Sequence, residues 1–146
     1  MFDWRNQISD NDPDDPNAID SFIEWYKLHR SVVRSWEKVT LHYCENKRVL
    51  DVGAICHNRQ SIISVEWKHR KICEVAKYVL GVDILKDMIG FVNRKGWNFQ
   101  YADATSSVDL GERFDVAVLG DLIEHVDNVG GLLEFSKRHL KKPELL

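Results

Sequence analysis

The sequence has little of what marks several common classes of protein. Its 146 residues include only three cysteines, Cys44, Cys56 and Cys73, an odd number at wide spacings without a C-x-x-C pair. This argues against a disulfide framework and a zinc site, and favours buried free thiols. The longest apolar stretches, such as Val116 to Gly120, fall far short of the roughly 20 residues that a membrane-spanning helix needs. Nucleic acid is not indicated either, because the formal net charge is −3.

What is present fits one folded domain. Hydrophobic residues make up 44% and charged residues 29% of the chain, which is the composition of a globular protein. No basic segment followed by an apolar one opens the sequence, so we expect no secretory signal and a cytoplasmic protein. His29, His42 and His139 lack metal-ligand spacing, and no metal site is predicted.

The sequence divides into three segments that differ in composition and in the spacing of apolar residues. Residues 1–16 end in a run of aspartates and prolines, which predicts a flexible acidic arm. Residues 17–45 carry apolar side chains at helical spacing, and we expect one or two amphipathic helices there. Residues 46–146 alternate short apolar runs with helical stretches and are interpreted as the core domain.

The alternation predicts an α/β fold with a doubly wound, mostly parallel sheet and N-terminal helices. Strands are predicted at 48–52, 78–83, 98–101 and 114–119, and helices at about 61–77, 85–95 and 129–140. In such a sheet, ligands bind beyond the C-terminal ends of the strands.

Those strand ends carry a series of small and acidic residues. The first strand ends in Asp51-Val52-Gly53-Ala54, the second in Asp83-Ile84, and the third runs into Asp103-Ala104. The fourth leads into Asp121-Leu122-Ile123-Glu124-His125. A glycine directly after a buried strand allows a sharp turn, and an ionised carboxylate can accept two hydrogen bonds from a diol.

Taken together, these residues resemble the class I S-adenosylmethionine-dependent methyltransferases over about residues 47–142. The resemblance implies a Rossmann-like core and S-adenosyl-L-methionine as the cofactor. It places Asp51 near the amino acid end of the cofactor, Asp83 at the ribose, Ile84 on the adenine face, and Asp103 with Ala104 at the adenine edge.

The same resemblance places two residues at the reaction centre. Asp121 would face the transferring methyl group, and His125 could orient or deprotonate the acceptor, which we expect to be a small molecule. The alternative for His125 is a structural histidine that bonds a loop carbonyl.

The first motif departs from the family pattern Asp-x-Gly-x-Gly-x-Gly, because Ile55 and His57 stand where the second and third glycines should be. A subset of the family is closer, with a small loop that ends in His-Asn and a later Trp-x-His-x-x-Ile segment. Here these are His57-Asn58 and Trp67 to Ile72, and the loop residues Gly53, Ala54 and His57 are predicted to contact the cofactor.

Two other functions remain open from the residues alone. A catalytically inactive methyltransferase-like module would serve in binding or assembly, and the missing glycines motivate it. A nicotinamide-dependent oxidoreductase would need the fingerprint G-x-G-x-x-G, which is absent after Gly53. The basic runs at 67–71 and 137–142 are interpreted as solvated helix faces.

The fourth strand raises a question about completeness. The family's sheet commonly has seven strands, and residues 140–146 resemble only the start of a fifth, so the core is expected to be incomplete on its C-terminal side. An apolar strand left at an edge exposes unpaired backbone groups. We therefore expect either a longer natural chain, or a homodimer mate or partner chain that covers this edge.

Overall fold

The structure, a computed structural model, describes residues 23–24, 27, 36–55 and 58–141. The chain divides into two compact units, Met1–Arg34 and Ser35–Leu146. In the first unit the described residues Ile23, Glu24 and Lys27 are helical. The predicted arm and most of the helical segment lie outside the described residues, and the domain boundaries given above stay a prediction.

The second unit contains a four-stranded sheet in which every strand pair is parallel. Its strands are β1 (Arg48–Val52), β2 (Tyr78–Asp83), β3 (Phe99–Tyr101) and β4 (Val116–Val118), in the order β3-β2-β1-β4. The order reverses beside β1, because β2 and β4 lie on opposite sides of it. The predicted α/β fold with a doubly wound, Rossmann-like sheet is confirmed, and a binding crevice is expected at this reversal.

The described helices of this unit are α1 (Trp36–Cys44) before β1, α2 (Arg59–Ile63) and α3 (Lys68–Val75) between β1 and β2, α4 (Lys86–Arg94) between β2 and β3, and α5 (Val129–His139) after β4. A 3₁₀ turn lies at Ile123–His125, and no helix is described between β3 and β4. The prediction of one helix over 61–77 is wrong, since the chain is extended at Ser64 and Trp67. The Ser64 hydroxyl accepts a bond from the Glu66 N–H, which stabilises the break.

Alternating strand residues pack on opposite faces of the sheet. On one face, Leu50 and Leu80 pack with Phe114 and with Leu132 and Phe135 of α5. Their neighbours Val49 and Val79 pack instead with Cys44 of α1 and Ile72 of α3. A third cluster joins the loop after β1 to α2, α4 and β3, and contains Ile55, Ile62, Trp67, Ile89, Val92 and Phe99. Both faces of β1 and β2 are therefore buried, as a parallel sheet requires.

β4 differs from the strands beside it. Its residues Val116, Ala117 and Val118 are only half-buried, although all three are apolar. Just before β4, Phe114 forms a parallel bridge with Leu140, and Lys141 forms an ion pair with Asp115 at 2.7 Å. The beginning of a fifth parallel strand is thus present at one end of β4. That another chain covers this edge stays a prediction.

No helix within the described ranges is long and apolar enough to cross a membrane.

Candidate functional site

A cavity of about 1200 Å³ opens at the C-terminal ends of the four strands. Its lining comes from the segments that follow β1, β2, β3 and β4, together with Trp36 of α1 and the start of α3. Small-molecule pockets usually measure about 300–1,000 Å³, so this cavity is large enough for a cofactor and part of a second ligand.

Gly53 makes the turn at the end of β1. Its φ of +68° is in the left-handed region, and a Cβ atom there would lie 2.8 Å from Cδ1 of Leu122. The Gly53 N–H donates to the carbonyl of Val82 at 2.8 Å, which ties the turn to β2. Ala54 lines the cavity and Ile55 is buried, whereas His57 lies outside the described residues. A side chain at position 53 would therefore collide with Leu122 and strain the backbone.

Asp83 at the end of β2 is buried and anchors the same turn. Its Oδ2 accepts from the Ile55 N–H at 3.0 Å, and its Oδ1 accepts from the Leu85 N–H at 3.1 Å. An ionised carboxylate has about four lone-pair positions, so each oxygen can still accept one more hydrogen bond. This spare capacity fits the two hydroxyls of a ribose diol.

Asp51 at the end of β1 is paired with a histidine. The carboxylate is 4% exposed and His69 of α3 is 1% exposed, with 2.8 Å between Oδ2 and Nδ1. Since a carboxylate can only accept, His69 Nδ1 carries the proton and donates it. Asp51 lines the cavity, and no described residue bonds its other oxygen, so that oxygen keeps its capacity for a cationic group.

Asp103 follows β3 and is exposed. Its Oδ1 accepts from both the N–H and the hydroxyl of Thr105, at 2.8 and 2.7 Å, and these bonds hold the pKa of the carboxyl below its ordinary value. Ala104 is buried beside it, and Ile84 after β2 is 61% exposed although it is apolar. All three line the cavity, where an aromatic ligand face would cover Ile84.

Asp121 and His125 lie on the other side of the cavity, after β4. Asp121 has a φ of +52°, which is uncommon for a residue other than glycine, and it forms an ion pair with Lys68 of α3. The Lys68 ammonium also lies 4.6 Å from the ring centroid of Trp36. His125 is exposed in the 3₁₀ turn. Since the two side chains of the ion pair are 47% and 69% exposed, the pair contributes little to stability.

The structure thus brings every described site residue of the sequence prediction to one cavity, while their roles stay predictions. The cavity also includes Trp67, Lys68 and His69, which belong to the basic run that is interpreted above as a solvated helix face. Trp67 and His69 are buried, so that interpretation is wrong for these two residues. The available signal was the Trp-x-His pattern at the start of an amphipathic helix, because two large side chains so close in sequence can be buried together in the core.

The remaining titratable candidates have structural partners. His139 is fully buried, with one ring nitrogen against the Phe135 carbonyl at 2.7 Å and the other accepting from the Leu110 N–H.

The described cysteines are not reactive. Burial, followed by the charge of Asp51, raises the pKa of Cys44 to about 11 and that of Cys73 to about 12. Both thiols are therefore protonated at neutral pH and poor nucleophiles, whereas Cys56 lies outside the described residues. Among the described side chains, no group of three or more could hold a metal ion.

Comparison with known proteins adds two similar solved structures. The plantazolicin methyltransferase BpumL, solved in complex with SAH, is 17% identical with a TM-score of 0.52, and the match covers 88% of this chain and 51% of BpumL. A protein of Thermoplasma acidophilum is 18% identical with a TM-score of 0.46, and the match covers 71% of this chain and 53% of that one. This chain therefore spans about half the length of the structures it matches. No curated protein sequence matches it significantly.

A family model described as a methyltransferase domain matches residues 25–146, which is most of the chain. The BpumL match, at its low identity, supports the fold alone, and the fold agrees with the strand order and the cavity described above. The chain therefore belongs to the methyltransferase family, with the parallel, Rossmann-like core of the class I S-adenosylmethionine-dependent enzymes.

Proposed function

We propose that this chain binds S-adenosyl-L-methionine and transfers its methyl group to a small-molecule acceptor. The observation that carries the proposal is the set of carboxylates around the Gly53 turn, each with unused acceptor capacity, in one cavity. Asp83 would hold the ribose hydroxyls, and Asp51 the amino group. Ile84 would pack on the adenine, with Asp103 and Ala104 at its edge.

Charge supports this choice of cofactor. Asp51, Asp83 and Asp103 line the cavity side of β1, β2 and β3, whereas the cation Lys68 is engaged by Asp121 on the other side. S-adenosyl-L-methionine carries a net positive charge that its demethylated product lacks. A carboxylate-lined cavity therefore favours the substrate form of the cofactor over the product form.

The cofactor supplies an electrophilic methyl group on a sulfonium. The chain's own contribution is to hold the reactants in line and to exclude water, which is worth several kcal/mol of the barrier when the atoms are about 3–3.5 Å apart. Asp121 and His125 would face the acceptor. Asp121 would orient it by accepting a hydrogen bond, and His125 would take its proton.

The acceptor would enter on the side of Trp36, Lys68 and Asp121. The contact of Lys68 with Trp36 and Asp121 is exposed and weak, so an incoming molecule can displace it at little cost. The indole then offers a flat apolar wall beside a carboxylate and an ammonium. This combination suits a small polar molecule with a planar part.

The alternative is a catalytically inactive binding module, and the loop after Gly53 is the observation that favours it. Ile55 stands at the second glycine position of the family motif and is 6% exposed, so it serves the core instead of leaving room for a ligand. A chain of this kind would bind a nucleoside without turning over any acceptor.

Calorimetric titration with S-adenosyl-L-methionine and S-adenosylhomocysteine tests the cofactor. Saturable binding of both is expected, with weaker binding to Asp83→Ala and unchanged binding to Asp87→Ala, which removes an exposed carboxylate of α4 outside the cavity lining. No heat at millimolar ligand contradicts the proposal. Binding without methyl transfer to any acceptor in a broad panel supports the inactive module.

A further inference from the structure

Trp67 and His69 connect the start of α3 to the end of β1. The Trp67 indole N–H donates to the carbonyl of Ala54 at 2.9 Å, and His69 Nδ1 contacts Asp51 at 2.8 Å. Trp67 is 4% exposed and His69 1%, so the contact with Asp51 is buried and that with Ala54 is partly buried. One short segment therefore reaches both the carboxylate of β1 and the loop that follows it.

The environment of the His69 ring is otherwise apolar. Its centroid lies 4.4 Å from that of Phe99, 4.9 Å from Trp67 and 5.8 Å from Trp97. Its second nitrogen, Nε2, is buried and has no hydrogen-bond partner among the residues that the structure describes. A buried polar atom without a partner disfavours the folded state, and an apolar ring would avoid this. The Nδ1 contact with Asp51 is the feature of this position that needs a histidine.

The loop after Gly53 is held by side chains instead of further glycines. The Ile55 N–H is bound by Asp83, the Ala54 carbonyl by Trp67, and the Ile55 side chain packs in a cluster with Trp67 and Phe99. A glycine-rich loop adopts its shape because its backbone is free to do so. Here the shape is imposed by partners that come from β2 and α3.

We propose that His69 is a positioning residue that fixes the Asp51 carboxylate for the amino acid end of the cofactor. This rests on the proposed function. By occupying Oδ2, the imidazole sets the rotation of the carboxylate and leaves its other oxygen to accept from an ammonium group. The adenosine end is held by Asp83 and Asp103, which form no hydrogen bond or ion pair with His69, so the effect of His69 is confined to one end of the ligand.

Two ligands separate this role from general support of the fold. S-adenosylhomocysteine has the amino acid end, and 5′-methylthioadenosine has the same adenosine and sulfur without it. The ratio of their Kd values for one variant cancels any loss of folded protein, since unfolding weakens both ligands equally. His69→Phe keeps a ring in the aromatic cluster but removes the donor, whereas His69→Asn can place an amide N–H near the Nδ1 position.

The expected result is that His69→Phe weakens S-adenosylhomocysteine about tenfold or more, as the loss of a hydrogen bond to a charged group implies. Binding of 5′-methylthioadenosine should change less than about threefold. His69→Asn should recover part of the affinity for S-adenosylhomocysteine, and it serves as the informative variant if His69→Phe does not fold.

Equal weakening of both ligands by His69→Phe, or no weakening of either, overturns the proposal and leaves His69 a packing residue. So does a His69→Asn variant that folds and discriminates the ligands no better than His69→Phe. Failure of the wild-type protein to bind either ligand contradicts the proposed function instead, so the two failures are distinguishable.

Discussion

The two sides of the cavity differ in how firmly their polar side chains are held. On the side of β1 and β2, Asp51 and Asp83 are at most 7% exposed, and each is bonded to buried partners from another element. On the side of β4, Asp121 has an exposed ion pair and an unusual backbone angle, and the strand before it is only half-buried.

The difference follows from the position of each strand in the sheet. β1 and β2 have helices on both faces and a neighbouring strand on each edge, so the groups at their ends are fixed before a ligand arrives. β4 has a described neighbour along its length on one edge only. A preorganised side suits a ligand of constant shape such as a cofactor, and a looser side suits an acceptor that differs between enzymes of one fold.

The largest loss of stability is expected from a substitution at Gly81, where the side of β1 and β2 is most tightly packed. A Cβ atom on Gly81 in β2 would overlap the buried ring of Phe99, which itself packs against His69. Gly81→Ala should therefore lower the free energy of unfolding by about 1–3 kcal/mol in urea titrations, as overpacking does.

Gly90→Ala is the matched control, because the nearest atom to its Cβ is the end of Arg94 at 3.5 Å and the position is helical. It should raise stability by about 0.5–1 kcal/mol. If the two variants shift stability in the same direction, the close packing ascribed to β2 and β3 is wrong.

The second expected effect compares a carboxylate from each side. Asp83→Asn replaces one acceptor oxygen by an NH₂ group that faces the N–H of Ile55 or Leu85. The loss should be about 1–3 kcal/mol of unfolding free energy, because a buried donor loses its partner. Asp121→Asn removes only an exposed ion pair, and asparagine tolerates the left-handed backbone, so its change should stay within about 1 kcal/mol. Chemical denaturation of both variants measures this, and equal losses would remove the distinction between the sides.

The smallest expected effect concerns pH. Thr105 lowers the pKa of Asp103 in the folded chain, so the ionised carboxylate stabilises the fold at pH values above the ordinary carboxyl pKa of about 3.9. This contribution is lost as the pH falls through the lowered value.

Thr105→Val keeps the backbone bond and removes the hydroxyl. The variant should be slightly less stable than the wild type at neutral pH, and the difference should shrink as the pH falls below the ordinary carboxyl pKa. The difference should be small because solvent screens an exposed group. Melting temperatures between pH 2.5 and 6 test this. A deficit of Thr105→Val that persists unchanged in acid would show that its cause is packing.

Much of the fold could be predicted from local patterns. The bounds of β1 and β2 agree with their apolar runs, because buried parallel strands are apolar on both faces. β4 is shorter than its apolar run of 114–119, and the helix predicted over 61–77 is broken. Along Val116–Val118 the outer edge of β4 has no described strand partner, since the bridge to Leu140 is made by Phe114 before the strand. The break between α2 and α3 has a local bond, from the Glu66 N–H to the Ser64 hydroxyl, and a tertiary one, from the Trp67 indole to the Ala54 carbonyl.

The order of strands and helices along the chain follows from the amino-acid sequence, and so does the presence of a carboxylate at or just after the end of each of the first three strands. Connection rules for parallel sheets then bring those ends to one edge, so the site could be located without coordinates. The side chains that bond to these carboxylates are fixed by tertiary packing. The contacts of His69 with Asp51, Trp67 with Ala54 and Lys68 with Asp121 depend on how α3 docks on the sheet. That docking is set by the packing of the whole core, which no local pattern in the sequence contains.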